Sequence, residues 1–362
     1  MKAILMLEDG RSFWGESVNQ AKGERIAGVV LNTAVVGYQE MMTDPANHGK
    51  ILVLTYPLIG NYGVAPKFNE SKKVWLSGLV IKEKANIYSN WQAKAGFDQF
   101  IAENKLLTIQ KVDTRTLTVH IRQKGEMLGI ISTDCFDLKE LSAKMQSFHK
   151  AETESALPEI STGKITVLTK AKPKAKKIAI LDIGATNSLI RQLQALGMGI
   201  TLLPYNTVPE DILRLKFQGL IISNGPEQDP GLSGVAENVK KVIGKIPVLG
   251  ISCGHQVLAQ SIGAKITKMK LGHRGVNYPI NKPASYKGEI TSQNHSYAVD
   301  NESLAKIKNV KVTEYNLNDR TVEEIESKKM RFIGAQYIPS SPGLGEINQV
   351  FHRFVKMLER SK

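Results

Sequence analysis

The segment Pro247-Val248-Leu249-Gly250-Ile251-Ser252-Cys253-Gly254-His255-Gln256 constrains the fold most, because it reads as a buried strand entering a helix across one sharp turn. Gly250 and Gly254 flank Ser252 at G-x-S-x-G spacing, and small flanking residues let the backbone turn tightly enough to push the central side chain outward. Ser252 is therefore the presented residue. Cys253, next in the chain, offers its backbone N–H as an oxyanion donor.

The surroundings of this elbow alternate strand and helix. Ile178 to Asp182, Ile200 to Leu203 and Leu220 to Ser223 read as short apolar strands, with helical spacing at Ser188 to Leu196 and Val235 to Ile243. Continuous apolar strands separated by helices predict an α/β fold with a doubly wound, mostly parallel sheet. In such sheets ligands bind beyond the carboxyl ends of the strands. Ser223-Asn224-Gly225-Pro226 and Gly250-Ile251-Ser252 both lie at such ends and are expected to wall one pocket.

The amino-terminal part differs. Alternating apolar segments such as Ile51-Leu52-Val53-Leu54 and Leu79-Val80-Ile81, punctuated by Gly, Pro and Asn, predict a strand-rich mixed α/β domain over 1–150. Asp137 to His149 has helical spacing. The Lys/Pro/Ala run ending in Lys170-Ala171-Lys172-Pro173-Lys174-Ala175-Lys176-Lys177 marks 151–176 as a linker, leaving 177–362 as the second domain.

With 362 residues, 42% of them apolar, the chain can bury two cores. No apolar run approaches the roughly 20 residues that span a bilayer, and the opening segment turns acidic at Glu8-Asp9, too early for a signal peptide. The two cysteines, Cys135 and Cys253, make no disulfide framework or cysteine metal site, and a cytoplasmic location is expected. The formal charge of +14 suits an acidic protein partner better than nucleic acid, since the lysines are scattered and no nucleic-acid-binding signature occurs. Trp14, Trp75 and Trp91 are expected to be packing anchors.

A presented serine is inert until a base takes its proton. None of the seven histidines (His48, His120, His149, His255, His273, His295, His352) announces itself as that base. His255 falls in the elbow helix, His273 in an expected turn at Gly272-His273-Arg274-Gly275, His295 after a short strand, and His352 in an amphipathic terminal helix.

Several stretches resemble the small, glutaminase subunit of carbamoyl phosphate synthetase, a class I glutamine amidotransferase. In the first domain these are Leu7-Glu8-Asp9-Gly10, Gly37-Tyr38-Gln39-Glu40, Thr55-Tyr56-Pro57-Leu58-Ile59-Gly60-Asn61-Tyr62-Gly63 and Asp113-Thr114-Arg115. In the second they are Ser223-Asn224-Gly225-Pro226, the elbow, Thr291-Ser292-Gln293-Asn294-His295 and Gly334-Ala335-Gln336-Tyr337. The resemblance implies the amidotransferase fold and a role in supplying carbamoyl phosphate for pyrimidine and arginine synthesis. It also implies a large-subunit partner that uses ATP and bicarbonate, no cofactor in this chain, and neither nucleic acid nor membrane as partner.

The chain departs from the family's chemistry. Ser252 stands where active members place the nucleophilic cysteine, Ile338 where they place the histidine base, and Ser340 where they place the orienting glutamate. Family glutamine-binding positions fall on Ala46, Gly225, Cys253, Gln256, Asn294, Ser296 and Tyr297, partly altered; Ala46 replaces a serine, Ser296 a glycine, and Glu227-Gln228 interrupt a glycine loop. A hydroxyl beside an aliphatic side chain has neither a low pKa nor a proton acceptor. The expectation is a pseudo-glutaminase acting as a non-catalytic partner of an ammonia-using large subunit. The alternatives are a free-standing glutamine sensor or scaffold, a serine hydrolase using Ser252, and a shifted register with Cys253 as nucleophile.

Overall fold

A computed structural model of the chain describes residues 1–149, 154–171, 175–283, 288–341, 343 and 345–359. It divides into two units, the first comprising Met1–Thr153 with Lys270–Arg274, the second Glu154–Met269 with Gly275–Lys362. The expected linker is therefore corrected in part. Leu157–Ile160 is a helical turn whose Leu157 is fully buried in the second core, and Thr166–Thr169 pairs antiparallel with Gly199–Pro204. Three of its four residues, Thr166, Val167 and Thr169, are β-branched and suit an extended edge strand, despite the lysine-rich run behind it.

In the first unit seven strands close into a barrel: β1 (Lys2–Leu7), β2 (Ser12–Ser17), β3 (Glu24–Asn32), β4 (Ile51–Leu54), β5 (Gly78–Val80), β6 (Leu107–Gln110) and β7 (Leu128–Ser132), in the order β1-β2-β6-β5-β4-β3-β7. Alternation along β1 explains the layering. Ala3, Leu5 and Leu7 join one core with Phe13, Val29, Val53, Val80, Ile109 and Ile131, residues drawn from all seven strands, which places that core in the barrel lumen. Ile4 and Met6 face outward against Leu141 and Met145 of the helix Leu138–His149. Trp75 is buried here, but Trp14 and Trp91 are 44% and 88% exposed, so two of the three tryptophans are not packing anchors.

The second unit contains β8 (Thr166–Thr169), β9 (Lys177–Asp182), β10 (Gly199–Pro204), β11 (Gly219–Ile222), β12 (Val248–Ile251), β13 (Ile266–Asn281), β14 (Gly288–Val299), β15 (Lys311–Asn316), β16 (Val322–Ser327) and β17 (Phe332–Ala335). They form one sheet in the order β8-β10-β9-β11-β12-β17-β16-β15-β13-β14, with β10, β9, β11, β12 and β17 mutually parallel. Successive residues of the parallel strands feed opposite cores. Ala179 and Leu181 join the core that holds Val257 and Leu258 of the elbow helix, whereas Ile178 and Ile180 join the one that holds Phe351 and Phe354 of the helix Gln349–Glu359. Burial on both faces is what the continuous apolar pattern required. Among the described residues no helix is long and apolar enough to cross a membrane.

Two local readings change. Gly272-His273-Arg274-Gly275 is no turn but part of the sixteen-residue strand β13, and His295 lies within the long strand β14 rather than after a short one.

Candidate active site

Backbone sterics build the elbow. β12 ends at Ile251, the helix Cys253–Ser261 starts at the next residue but one, and Ser252 alone makes the turn, with φ 52° and ψ −113°. Such a conformation costs a non-glycine residue on the order of 1–3 kcal/mol. It is held by the Ser252 N–H donating to the Ala335 carbonyl at 2.7 Å, and by the Ser252 carbonyl accepting from His255 N–H at 2.9 Å and Gln256 N–H at 3.2 Å. The bracketing glycines are there for space. A Cβ on Gly254 would lie 2.2 Å from the Ile222 carbonyl oxygen, and one on Gly250 would lie 2.5 Å from the Gly254 carbonyl oxygen.

Ser252 is 2% exposed, and among the described residues its hydroxyl makes no hydrogen bond. His255 is fully buried, and burial pushes its imidazole down to about 4, opposed in part by the Gly334 backbone. It is a neutral core histidine. His295 has Nδ1 2.9 Å from the Tyr297 carbonyl oxygen and Nε2 2.9 Å from Gln293 Oε1. Because Gln293 Nε2 donates to Glu323 at 2.8 Å, its amide oxygen is the atom left for His295. Both imidazole nitrogens thus face oxygen acceptors of β14, and a neutral ring can donate to only one of them. His352 sits half-buried on the helix Gln349–Glu359.

The pairing of β12 with β17, with Ile251 opposite Ala335, sends the run Gln336-Tyr337-Ile338 onward from a point beside the elbow. Ile338 N–H donates to the Ser292 carbonyl at 2.8 Å, and the exposed Ser340 hydroxyl donates to the Ser292 hydroxyl at 2.9 Å. Neither position carries a group that takes a proton at neutral pH.

Most of the expected glutamine-binding positions come together around one loop. Gly225 is pressed so tightly against β9's end that a Cβ there would lie 1.9 Å from the Ile183 carbonyl oxygen. The Cys253 thiol is buried and donates to the Pro226 carbonyl at 3.5 Å. At the loop's tip the Glu227 carboxylate accepts from Ser296 N–H at 2.7 Å, from Tyr297 N–H at 3.1 Å and from Gln256 Nε2 at 2.7 Å. Gln256 Nε2 also lies 2.9 Å from the Tyr297 carbonyl oxygen and 3.3 Å from Gln336 Oε1. Asn294 is buried in β14. Ala46 belongs to the first unit, where its N–H donates to Asp44 Oδ1 at 2.9 Å and its carbonyl accepts from Lys50 Nζ at 3.0 Å. Sequence reasoning flagged Glu227 as a disturbance of a glycine loop but missed its contacts. The signal was an acid in a loop where glycine is expected, followed by Gln228, which adopts φ 59°.

Residues 5–131 match the carbamoyl-phosphate synthase small chain, CPSase domain, and residues 179–357 match the class-I glutamine amidotransferase family. The carbamoyl phosphate synthase small chain of Syntrophotalea carbinolica is 37% identical over 376 residues, covering 100% of this chain and 99% of the relative. The chain belongs to the carbamoyl phosphate synthase small-chain family. Another small chain, from Listeria innocua, is 38% identical over 99% of this chain and 97% of its own. The pyrimidine-specific small chain of Bacillus subtilis is 35% identical over 100% of this chain and 97% of its own.

Proposed function

We propose that this small-chain protein has lost glutamine hydrolysis and serves as a non-catalytic partner of a large carbamoyl phosphate synthase subunit that takes free ammonia with ATP and bicarbonate. One observation carries the reading: among the described residues the Ser252 hydroxyl makes no hydrogen bond to a proton acceptor, the resemblance placing Ile338 where the family has its histidine and His295 being turned to the Tyr297 carbonyl and the Gln293 amide oxygen. Attack on a carboxamide carbon by a hydroxyl requires that its proton leave as the C–O bond forms, and the departing ammonia requires a proton in turn. Nothing in this arrangement performs either transfer. The same point weighs against a serine hydrolase, and the Cys253 thiol, turned to the Pro226 carbonyl, weighs against the shifted register. The B. subtilis relative's name points to pyrimidine synthesis as the pathway supplied.

The test combines the chain with the large subunit from the same source. Co-elution from a sizing column, with carbamoyl phosphate made from ammonium but not from glutamine, is expected. Separate elution with unchanged ammonium-dependent ATP turnover would sink the partner reading and put a free-standing sensor or scaffold ahead.

A further inference from the structure

The contacts of Glu227 differ from an ordinary surface ion pair. Its two carboxylate oxygens are met separately, Oε2 by the Ser296 N–H at 2.7 Å and Oε1 by the Tyr297 N–H at 3.1 Å and the Gln256 amide at 2.7 Å. Two successive main-chain N–H groups converging on one anion form a carboxylate-binding concavity, and charge-assisted bonds of this kind are roughly twice as strong as neutral ones. Those donors are main-chain groups and one buried amide, at positions 256, 296 and 297, so they would recognise any carboxylate presented at that spot. The loop holds the acid in place: Gly225 is fixed against the Ile183 carbonyl, the Cys253 thiol donates to the Pro226 carbonyl, and Gln228 turns the chain back at φ 59°.

We infer that Glu227 is an internal ligand, a tethered carboxylate that fills an amino-acid carboxylate site made by Ser296, Tyr297 and Gln256 and thereby excludes free amino acids. The inference deepens the proposed loss of glutamine use and rests on it for the identity of the pocket. It adds a second and separate block, because a site can lack its base and still bind substrate, whereas this one is already filled. A short tether presenting a carboxylate of about millimolar intrinsic affinity at an effective concentration of about 10 mM weakens a competing free ligand by about tenfold.

The experiment uses the full-length protein, with Glu227→Ala and Glu227→Gln as variants, L-glutamine as the probe in calorimetry, and the amide resonances of Ser296 and Tyr297 as a local readout. Glu227→Ala should bind L-glutamine at least about tenfold more tightly than the parent. The two amide resonances should move on substitution and return toward their parent positions when L-glutamine or acetate is added. If the alanine variant does not fold, Glu227→Gln, which keeps the shape and loses the charge, should show the same changes in smaller measure. Equal affinity in parent and variants, no binding to any of them, or amide resonances indifferent to the substitution overturns the inference. Ammonia release decides the companion reading: binding without release leaves both intact. Binding with release by Glu227→Ala keeps the internal ligand and overturns the loss of glutamine chemistry.

Discussion

The ring of His255 lies directly against Gly334: a Cβ built on that glycine would come within 2.6 Å of Nδ1. Glycine is thus the space that lets an imidazole sit, fully buried, between the elbow helix and β17.

That burial predicts a pH dependence. His255 titrates near 4 when folded, because desolvation disfavours its cation, against about 6.5 when unfolded. Between these values the unfolded chain binds a proton that the folded chain refuses. The stabilisation is therefore complete above pH 6.5 and lost as pH falls toward 4, by on the order of 3 kcal/mol. Urea melts of the parent from pH 7 to pH 4 should show this slope, and His255→Leu should flatten it even if its overall stability is lower. Parallel pH profiles for the two proteins would contradict the assignment.

Ser252 carries backbone strain, and among the described residues its hydroxyl makes no hydrogen bond. Replacing it with glycine, which adopts positive φ freely, should raise stability by about 1 kcal/mol, or a melting temperature increase of about 2–4 °C. A lower melting temperature for Ser252→Gly would show that the serine side chain has a structural partner.

Repair of the chemistry should require several changes together. Ser252→Cys alone still lacks a base at Ile338 and should stay within about tenfold of the parent's background in single-turnover ammonia release. The combination of Ser252→Cys, Ile338→His and Ser340→Glu is the minimum that could restore turnover, with Glu227 replaced as well so that the pocket is open. Substantial activity from the cysteine alone would mean that another histidine reaches the elbow.

Arg353 anchors the helix Gln349–Glu359 to the sheet. Its guanidinium donates to both oxygens of the fully buried Glu324, at 2.6 and 2.7 Å, and to Glu326 at 2.7 Å. Glu324 also accepts from the Tyr337 hydroxyl at 3.2 Å. Arg353→Met leaves a buried carboxylate without its counter-charge and should cost about 3–5 kcal/mol in a denaturant melt. A loss under about 1 kcal/mol would show that Glu324 is protonated or hydrated instead.

What the sequence disclosed follows from how local its signals were. The parallel strands around Ile178, Leu220 and Val248 were legible because burial on both faces leaves an unbroken apolar run, and the elbow because its glycines sit at fixed spacing. The closure of the first unit into a barrel was not, since the pairing of β2 with β6 joins residues such as Ser17 and Ile109 that no local pattern links. β13 was misread at Gly272-His273-Arg274-Gly275, where two glycines imitate a turn inside a strand whose hydrogen bonds keep it extended. In the site, positions 252, 338 and 340 were read only by resemblance to the family's motifs. The partners of Glu227 could not be read, because two of them are main-chain N–H groups and leave no trace in residue identity.

The crowding around Gly250 and Gly254 has a consequence for how such a chain can drift. The elbow's shape is dictated by two residues at which any side chain would collide with neighbouring carbonyls, while the residue they bracket is held by main-chain hydrogen bonds that do not depend on its side chain. Selection on folding alone would therefore preserve the outline of a nucleophile's seat long after any nucleophile had left it. In this protein the glycines record the architecture, and position 252 sets only what the elbow presents.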